Sequence, residues 1–442
     1  MNLHRLLQQR AAAGRPVHVG LIGAGKFGSM FLNQVPTMTG LEVSVIADLD
    51  PARARAACQK VGWDARRVAR TLFVDSGAEL CAHPEVEIVV EATGSPAAGI
   101  AHARRAIAAG RHIVMVNVEA DVLAGPLLAE EARRKRVVYS LAYGDQPALT
   151  CELVDWARAC GFEVAAAGKG TKYLPAYHRV TPDDVWGHYG LTPEEARAGG
   201  MNPQMFNSFL DGTKSAIEMA AIANATGLGV PVDGLGFPPC GVDDLPHVLR
   251  GREAGGTLEH DGMVEVVSCL ERDGRPVFRD LRWGVYVTLK APNEYARTCF
   301  REYGLKTDAS GWYAATYKPY HLIGLELGVS ILSAALRSEP TGQPQGWCGD
   351  VVAVAKRALQ AGETLDGEGG YTVWGKLVAA ERSLAEGALP IGLAHRVPLM
   401  RDIAAGEIVR WADVAIPDNE AVKARRDMER RFAGRPSAIA AQ

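Results

Sequence analysis

The chain has 442 residues, which at roughly 150 residues per domain suggests about three domains and excludes a single small fold. Its 48 basic and 51 acidic residues leave a formal charge of −3 and are interspersed along the sequence, unlike the basic footprint of a nucleic-acid binder. Glycine and proline (48 and 24) make about 16% of the chain against a usual total near 12%, and 48% is apolar, which points to a turn-rich globular enzyme rather than a disordered chain.

The N-terminal stretch MNLHRLLQQRAAAGRP lacks an apolar core and a small-residue cleavage site, so it reads as a short surface helix and not a signal peptide. After it, VHVGLIGAGKFG followed by FGSMFLNQV reads as strand, tight turn and helix. LEVSVIADLD is a second strand and PARARAACQKVG a helix. VEIVVEATGSP, HIVMVNVEAD and VVYSLAYGDQP are further strands, separated by helical GIAHARRAIAAG and PLLAEEARRKR. Strands with continuous β-branched runs, alternating with helices, predict an α/β fold: a Rossmann-type doubly wound parallel sheet over residues 1–150.

From 151 to about 340 the alternation stops. A helix, CELVDWARACG, leads into a loop rich in Pro, His and Tyr, a helical region from Met205 to Ala225, a Gly/Pro knot, and the strand-like MVEVVSCL and WGVYVTLKAP. This is the pattern of an α+β catalytic domain. Residues 345–417 contain a repeated phrase, Arg357 to Ala361-Gly362-Glu363 and Arg401 to Ala405-Gly406-Glu407, whose glycines suit tight turns in a small β-rich module. Residues 418–442, including KARRDMERRFAG, have apolar positions too sparse for a core helix and read as a solvated tail. The longest apolar stretch, 322–336, is interrupted by Glu326 and too short for a bilayer, so no membrane partner is expected. Eight dispersed cysteines without a CxxC pair fit a reducing, cytoplasmic compartment.

The strongest chemical signal is Gly23-Ala24-Gly25-Lys26-Phe27-Gly28 between strand and helix, with Asp48 at the end of the second strand. Gly23 permits the turn, Gly25 lets the backbone approach a pyrophosphate, and Gly28 allows close helix packing; the helix N-terminus supplies N–H donors. Asp48 would bond a ribose 2′-hydroxyl and favour NAD, whereas Arg53 and Arg55 could pair with a 2′-phosphate if Asp48 turned away. Thr93-Gly94-Ser95-Pro96, Asn117-Val118-Glu119 and Gly144-Asp145-Gln146-Pro147 fall at carboxyl ends of strands, where the walls of a nicotinamide site are expected, ordinary strand-to-helix turns being the alternative.

Lys169 and Lys172 lie in GKGTKYLPAYH, where glycines would let a loop approach a phosphate or carboxylate; a solvated basic loop is the plainer reading. In FNSFLDGTKSAIEMAAIANATG, one continuous helix would place Asn207, Asp211, Lys214 and Glu218 on a single polar face. Gly212 allows the alternative of a helix beginning near Ser215 with a Ser215/Glu218 capping box. Lys318 and His321 flank Pro319 just before a helix-like run, and Glu294 and Arg301 are weaker candidates.

VGLIGAGKFGSMFL, NVEAD, GDQPA, NSFLDGTKSAIEMAAIANATGL and YKPYHLIGLELGVSI together resemble the deoxyxylulose-phosphate reductoisomerase-like (DRL) oxidoreductase family, itself distantly similar to homoserine dehydrogenases. The resemblance runs to about residue 415, and the terminal repeat resembles an SAF (β-clip) domain. It implies NADP(H) as the favoured cofactor, with NAD(H) possible, and a small phosphorylated or acidic substrate. One branch of the family converts 1-deoxy-D-xylulose 5-phosphate to 2-C-methyl-D-erythritol 4-phosphate in isoprenoid synthesis. Homoserine dehydrogenases carry a lysine after the asparagine of the Asn117 region, where this chain has Glu119, which argues against homoserine chemistry. A ketol rearrangement followed by reduction needs a base and a polarising group. The resemblance then implies Asp211 or Glu218 as base or metal ligand, Lys214 opposite developing oxyanion charge, and Lys169, Lys172 or Lys318 at the phosphate. Lys172, Lys318 and His321 are also candidates for catalysis, and Asn207 for substrate binding. No acidic triplet at recognisable spacing points to the divalent metal of better-known reductoisomerases. Related dehydrogenases pair through the second domain, which implies a homodimer. A catabolic dehydrogenase of a sugar acid or polyol, and a non-catalytic nucleotide- or sugar-binding sensor, are the competing readings.

Overall fold

The computed structural model describes residues 2–434 and divides them into two compact units. One holds the chain up to residue 151 with 321–344 and 423–428; the other holds 152–320, 345–422 and the described residues from 429 on.

In the first unit, strands β1 (Val17–Ile22), β2 (Leu41–Ala47), β3 (Leu72–Val74), β4 (Ile88–Glu91), β5 (His112–Met115) and β6 (Tyr139–Leu141) form one sheet in the order β3-β2-β1-β4-β5-β6. Every pairing is parallel. The runs of Val, Ile and Leu follow from burial on both faces: Val19, Leu21, Ile88, Val89 and Val90 are fully buried. The strand order reverses between β1 and β4, the switch point at which open α/β sheets bind ligands. The sequence pattern predicts a strand as far as Asp121 and the next helix from Pro126. Instead the helix spans Val118–Lys135 with Pro126 inside it, because the Asn117 side chain accepts the Ala120 N–H at 3.0 Å and caps it there.

Residues 321–340, expected in the second domain, belong with 341–344 to this first unit. The helix Gly328–Arg337 buries Ile331 and Leu332 in the same core as Leu21, Phe31 and Val90. The N-terminal helix Leu3–Ala12 buries Leu3 and Leu7 there too.

The second unit carries a mixed sheet of β7 (Glu163–Thr171), β8 (Met263–Ser268), β9 (Val285–Lys290) and β10 (Tyr313–Lys318) in the order β10-β9-β7-β8. Lys169 therefore lies on a strand and not in the expected loop. Gly168 and Gly170 serve backbone packing: a Cβ on Gly168 would lie 1.9 Å from the Glu265 carbonyl oxygen, and one on Gly170 1.9 Å from that of Leu281.

The module that holds the repeated phrase contains two antiparallel ladders, β11 (Gly349–Ala355) with β13 (Val373–Ala379) and β12 (Thr364–Asp366) with β14 (His395–Pro398). The two copies of the phrase are related by a local dyad. Gly362 N–H donates to Leu399 O at 2.8 Å and Leu399 N–H to Glu363 O at 2.8 Å; Gly406 and Ala355 repeat this with Ala355 O and Glu407 O at 2.8 and 3.0 Å. Leu359 and Ile403 exchange hydrogen bonds across the axis at 2.9 Å. Each copy closes its own ion pair, Arg357–Glu363 at 2.8 Å and Arg401–Glu407 at 2.7 Å.

The expected tail is instead a helix over Glu420–Phe432, with Ala421, Ala424, Arg425 and Met428 buried. Short side chains hid that face, since alanine and the stem of an arginine cover apolar surface without raising hydropathy. The rest of the expected tail, residues 435–442, lies outside the described residues. Among the described residues no helix is long and apolar enough to cross a membrane.

Candidate active site

At the end of β1, Gly23 adopts φ +96°, and a Cβ there would stand 2.7 Å from Ala92 O at the end of β4. A Cβ on Gly28 would stand 2.4 Å from Gly23 O, so the third glycine lets the helix Lys26–Gln34 seat on the turn. Gly25 differs from both: it caps that helix, is exposed with Lys26, and a Cβ there would meet nothing within 4 Å. The space a dinucleotide pyrophosphate needs is open at the helix N-terminus, and the residues present fit that cofactor.

Asp48 is buried beside the turn. Its Oδ2 accepts the Ala24 N–H at 2.9 Å, while Oδ1 accepts the Asp50 N–H at 3.1 Å and Arg53 Nη2 at 2.7 Å. Burial pushes its carboxyl up, but the two backbone donors and the Arg53 guanidinium outweigh it and hold the pKa below the ordinary value. Arg53 thus stays beside Asp48, with its side chain 64% exposed, while Arg55 lies over the Phe73 ring.

Across the switch point, buried Glu91 accepts the Thr93 hydroxyl at 2.5 Å and lies 3.2 Å from His102 Nδ1, fixing the loop that carries exposed Gly94. Asn117 donates to Ser95 O at 2.9 Å and caps its helix, so its amide ties two loops together; Glu119 follows in the first helical turn. His321 belongs to the first unit, on a segment whose Gly324 runs against the helix of the glycine turn: a Cβ there would stand 3.0 Å from Phe27 O. Lys318 belongs to the second unit at the end of β10 and pairs with Glu152 at 2.8 Å.

In the second unit the continuous polar helix is broken. Helices span Pro203–Leu210 and Thr213–Thr226, and Gly212 between them has φ +91°. The Ser215/Glu218 capping box is absent as well, with Ser215 Oγ making no hydrogen bond among the described residues. Asn207 spends its amide protons on Val180 O and Gly369 O at 2.9 and 2.8 Å and is fully buried, which corrects its expected place at the substrate.

Asp211 is likewise fully buried. Its Oδ1 accepts the Thr213 N–H at 2.9 Å, and Oδ2 lies 2.8 Å from Lys356 Nζ, at an angle outside hydrogen-bond geometry. Lys356 also donates to Val180 O at 2.9 Å and Gly370 O at 2.7 Å. Asp211 is therefore the hub of the helix break, with both carboxylate oxygens turned to residues of the chain. His178 donates from Nδ1 to Asp211 O at 2.6 Å, which leaves Nε2 to accept the Tyr173 hydroxyl at 2.9 Å, and its ring stacks on Trp374. Burial holds this imidazole below its ordinary pKa despite the Asp211 carbonyl.

Lys356, His178 and Trp374 were missed by sequence reasoning. For Lys356 a signal existed: the second copy of the repeat has Met400 in its place.

On the helix Thr213–Thr226, Lys214 and Glu218 stand one turn apart, and Glu218 forms an ion pair with Lys169 of β7; both partners of that pair are buried. This is the part of the expected constellation that the fold brings together. Lys172, just beyond β7, donates to His188 O. Glu294 pairs with Arg297 at 3.0 Å on the helix Glu294–Glu302, and Arg301 is exposed there. No group of three His, Cys, Asp or Glu among the described residues could hold a metal, so the residues described do not fit one and no step is derived through it.

Residues 17–117 match a family described as "Oxidoreductase family, NAD-binding Rossmann fold", and residues 144–327 match "Oxidoreductase DRL, catalytic domain". A curated relative, 1-deoxy-D-xylulose 5-phosphate reductoisomerase of Heliobacterium modesticaldum, is 32% identical over 158 residues, covering 33% of this chain and 40% of that protein. Two solved structures are similar at lower identity. Myo-inositol dehydrogenase from Lactobacillus casei, in complex with NAD(H) and myo-inositol, is 17% identical over 39% of this chain and 50% of its own, with TM-score 0.28. A probable dehydrogenase from Thermotoga maritima is 16% identical over 73% and 90%, with TM-score 0.39. Both matched families are oxidoreductase domains, and their pairing in one chain is that of an NAD(P)-dependent oxidoreductase.

Proposed function

We propose that the protein is an NAD(P)H-dependent reductoisomerase of a small sugar phosphate, of the type that converts 1-deoxy-D-xylulose 5-phosphate to 2-C-methyl-D-erythritol 4-phosphate. The observation that carries this reading is the buried Lys169–Glu218 pair one helical turn beyond Lys214, within the segment that matches the DRL catalytic domain. A plain dehydrogenase needs one group to exchange a proton with the substrate oxygen. A ketol rearrangement also needs a base for a second hydroxyl, and this arrangement offers both.

In this reading Gly23, Gly25 and Gly28 with Lys26 and Phe27 hold the dinucleotide phosphates, Asp48 and Arg53 stand at its adenosine ribose, and Thr93, Gly94, Asn117 and Glu119 edge its nicotinamide half. The bound reduced nicotinamide supplies a hydride. Glu218 takes the proton of a substrate hydroxyl, Lys169 balances its charge and fixes its rotamer, and Lys214 donates to the oxygen on which negative charge develops. Lys172 faces the anionic end of the substrate. The local dyad supports reading the terminal module as SAF-like, and eight free cysteines support a reducing compartment. A homodimer is proposed on the family resemblance.

The test is direct. Purified protein with NADPH or NADH and 1-deoxy-D-xylulose 5-phosphate, followed at the nicotinamide absorbance, should oxidise the cofactor. Protein that binds the dinucleotide yet oxidises none with this substrate overturns the reductoisomerase reading.

A further inference from the structure

Several half-buried cations in this chain are given a carboxylate: Arg10 has Glu87, Arg104 has Glu131, Arg250 has Asp308 and Lys318 has Glu152. Lys172 and Arg282 are not, and they lie close to each other. Both are half-buried in the second unit, and neither lies within ion-pair distance of a carboxylate among the described residues. They share one aromatic ring instead, with Lys172 Nζ 5.8 Å and Arg282 Cζ 6.0 Å from the centroid of Tyr189; Arg282 also lies 4.7 Å from that of Trp283. The adjacent Asp280 spends its Oδ1 on the Arg282 backbone N–H at 2.8 Å. Desolvation, and then the Arg282 charge, hold the Lys172 ammonium below its ordinary pKa, as two like charges do when no anion separates them.

The backbone explains how the two cations meet. Gly170 carries no side chain, so the turn Leu281–Gly284 closes onto the end of β7, with Gly170 N–H donating to Gly284 O at 3.1 Å. That approach brings Arg282 to Lys172. Gly170 thus admits a second cation beside Lys172.

We infer that Lys172 and Arg282, flanked by Tyr189, seat a tetrahedral oxyanion, the phosphate monoester of the substrate. Arginine offers a fork of N–H donors and lysine a point charge, a pairing matched to phosphate oxygens, while the aromatic ring holds both cations without neutralising them. The inference rests on the reductoisomerase reading for the identity of the phosphate's bearer, but the seat itself is testable without turnover.

Orthophosphate titrated into the full-length protein at constant ionic strength, by calorimetry, should bind the wild type. Binding should weaken about tenfold or more in Arg282→Gln and in Lys172→Gln. Arg279→Gln removes the same charge from the same turn, but Arg279 is paired with Asp243 at 3.2 Å; this variant should bind as the wild type does. Thermal midpoints without phosphate report whether each variant is folded. Equal phosphate affinity in folded Arg282→Gln and wild type overturns the seat, as does malonate binding in place of phosphate. Phosphate binding that Arg282→Gln abolishes, in a protein that turns over no phosphorylated ketose, keeps the seat and removes the reductoisomerase reading. Turnover of such a ketose with unchanged KM in Arg282→Gln does the reverse.

Discussion

Replacing Lys356 by methionine, the residue that the second copy of the repeat carries at Met400, tests whether the terminal module is part of the catalytic fold. Lys356 Nζ donates to Val180 O at 2.9 Å and Gly370 O at 2.7 Å and lies 2.8 Å from Asp211 Oδ2, so its ammonium joins a loop, the module and the helix break. Both members of the ion pair are out of water, and removing one partner of a buried pair costs about 3–5 kcal/mol because the other charge is left uncompensated. The expected loss for Lys356→Met is therefore about 4 kcal/mol, most of it the stranded Asp211 carboxylate. Urea unfolding of the full chain, followed by circular dichroism, measures it. Adding Asp211→Asn removes the stranded charge, so the double variant should be more stable than the sum of the single losses by about 1 kcal/mol or more. A single-variant loss below about 1 kcal/mol, or strict additivity, refutes the hub.

The glycines of the cofactor turn should separate stability from binding. Gly25→Ala should leave the unfolding midpoint unchanged yet weaken dinucleotide binding, whereas Gly23→Ala, with φ +96° and Ala92 O at 2.7 Å from the new Cβ, should lower the midpoint. Equal thermal effects would contradict the open space at Gly25. Asp48→Ala should release Arg53 and shift preference toward NADP about tenfold or more, read as the ratio of kcat/KM for the two dinucleotides; an unchanged ratio removes Asp48 from cofactor choice. Lys214→Ala should lower kcat about a hundredfold with the substrate that the wild type accepts, and near-normal turnover returns Lys214 to a structural role. Burial pushes the Asp121 carboxyl up to about 7 although the Tyr139 hydroxyl donates to it at 2.8 Å. The folded chain thus keeps a proton that the unfolded chain releases near pH 4, and stability should fall as pH rises from about 4 to 7, by about 4 kcal/mol at most from this group. Asp121→Asn should flatten that slope in pH-dependent urea unfolding, and an unaltered slope would place the proton elsewhere.

The parallel sheet could be read from sequence because its central strands are mostly buried and carry largely apolar runs, and because a glycine turn between strand and helix with a distal acid points to a dinucleotide. The third strand, Leu72–Val74, escaped notice because only three residues pair at the sheet edge. Elsewhere the same letters served different physics. GKG looks like a phosphate loop, yet its glycines clear the carbonyl oxygens of Glu265 on β8 and Leu281 in the turn before β9, which no local pattern encodes. Asn207, Asp211, Lys214 and Glu218 share helical spacing, but one positive φ at Gly212 sends the first two inward to hydrogen-bond the backbone and leaves only the last two as a candidate site.

The deeper reason is separation along the chain. Lys356 and Trp374 reach Asp211 and His178 from more than a hundred residues away, and local periodicity cannot report such a contact. The duplication could have. Two copies of one fold must keep the residues that close each turn, and they do keep Arg357 with Glu363 and Arg401 with Glu407. A position where the copies differ sharply in chemistry has been released from the dyad and answers to its surroundings instead. Met400 is 64% exposed, while Lys356 is buried against an aspartate that the second copy does not face. The Lys356/Met400 difference thus falls on the surface by which the module meets the break between the helices Pro203–Leu210 and Thr213–Thr226.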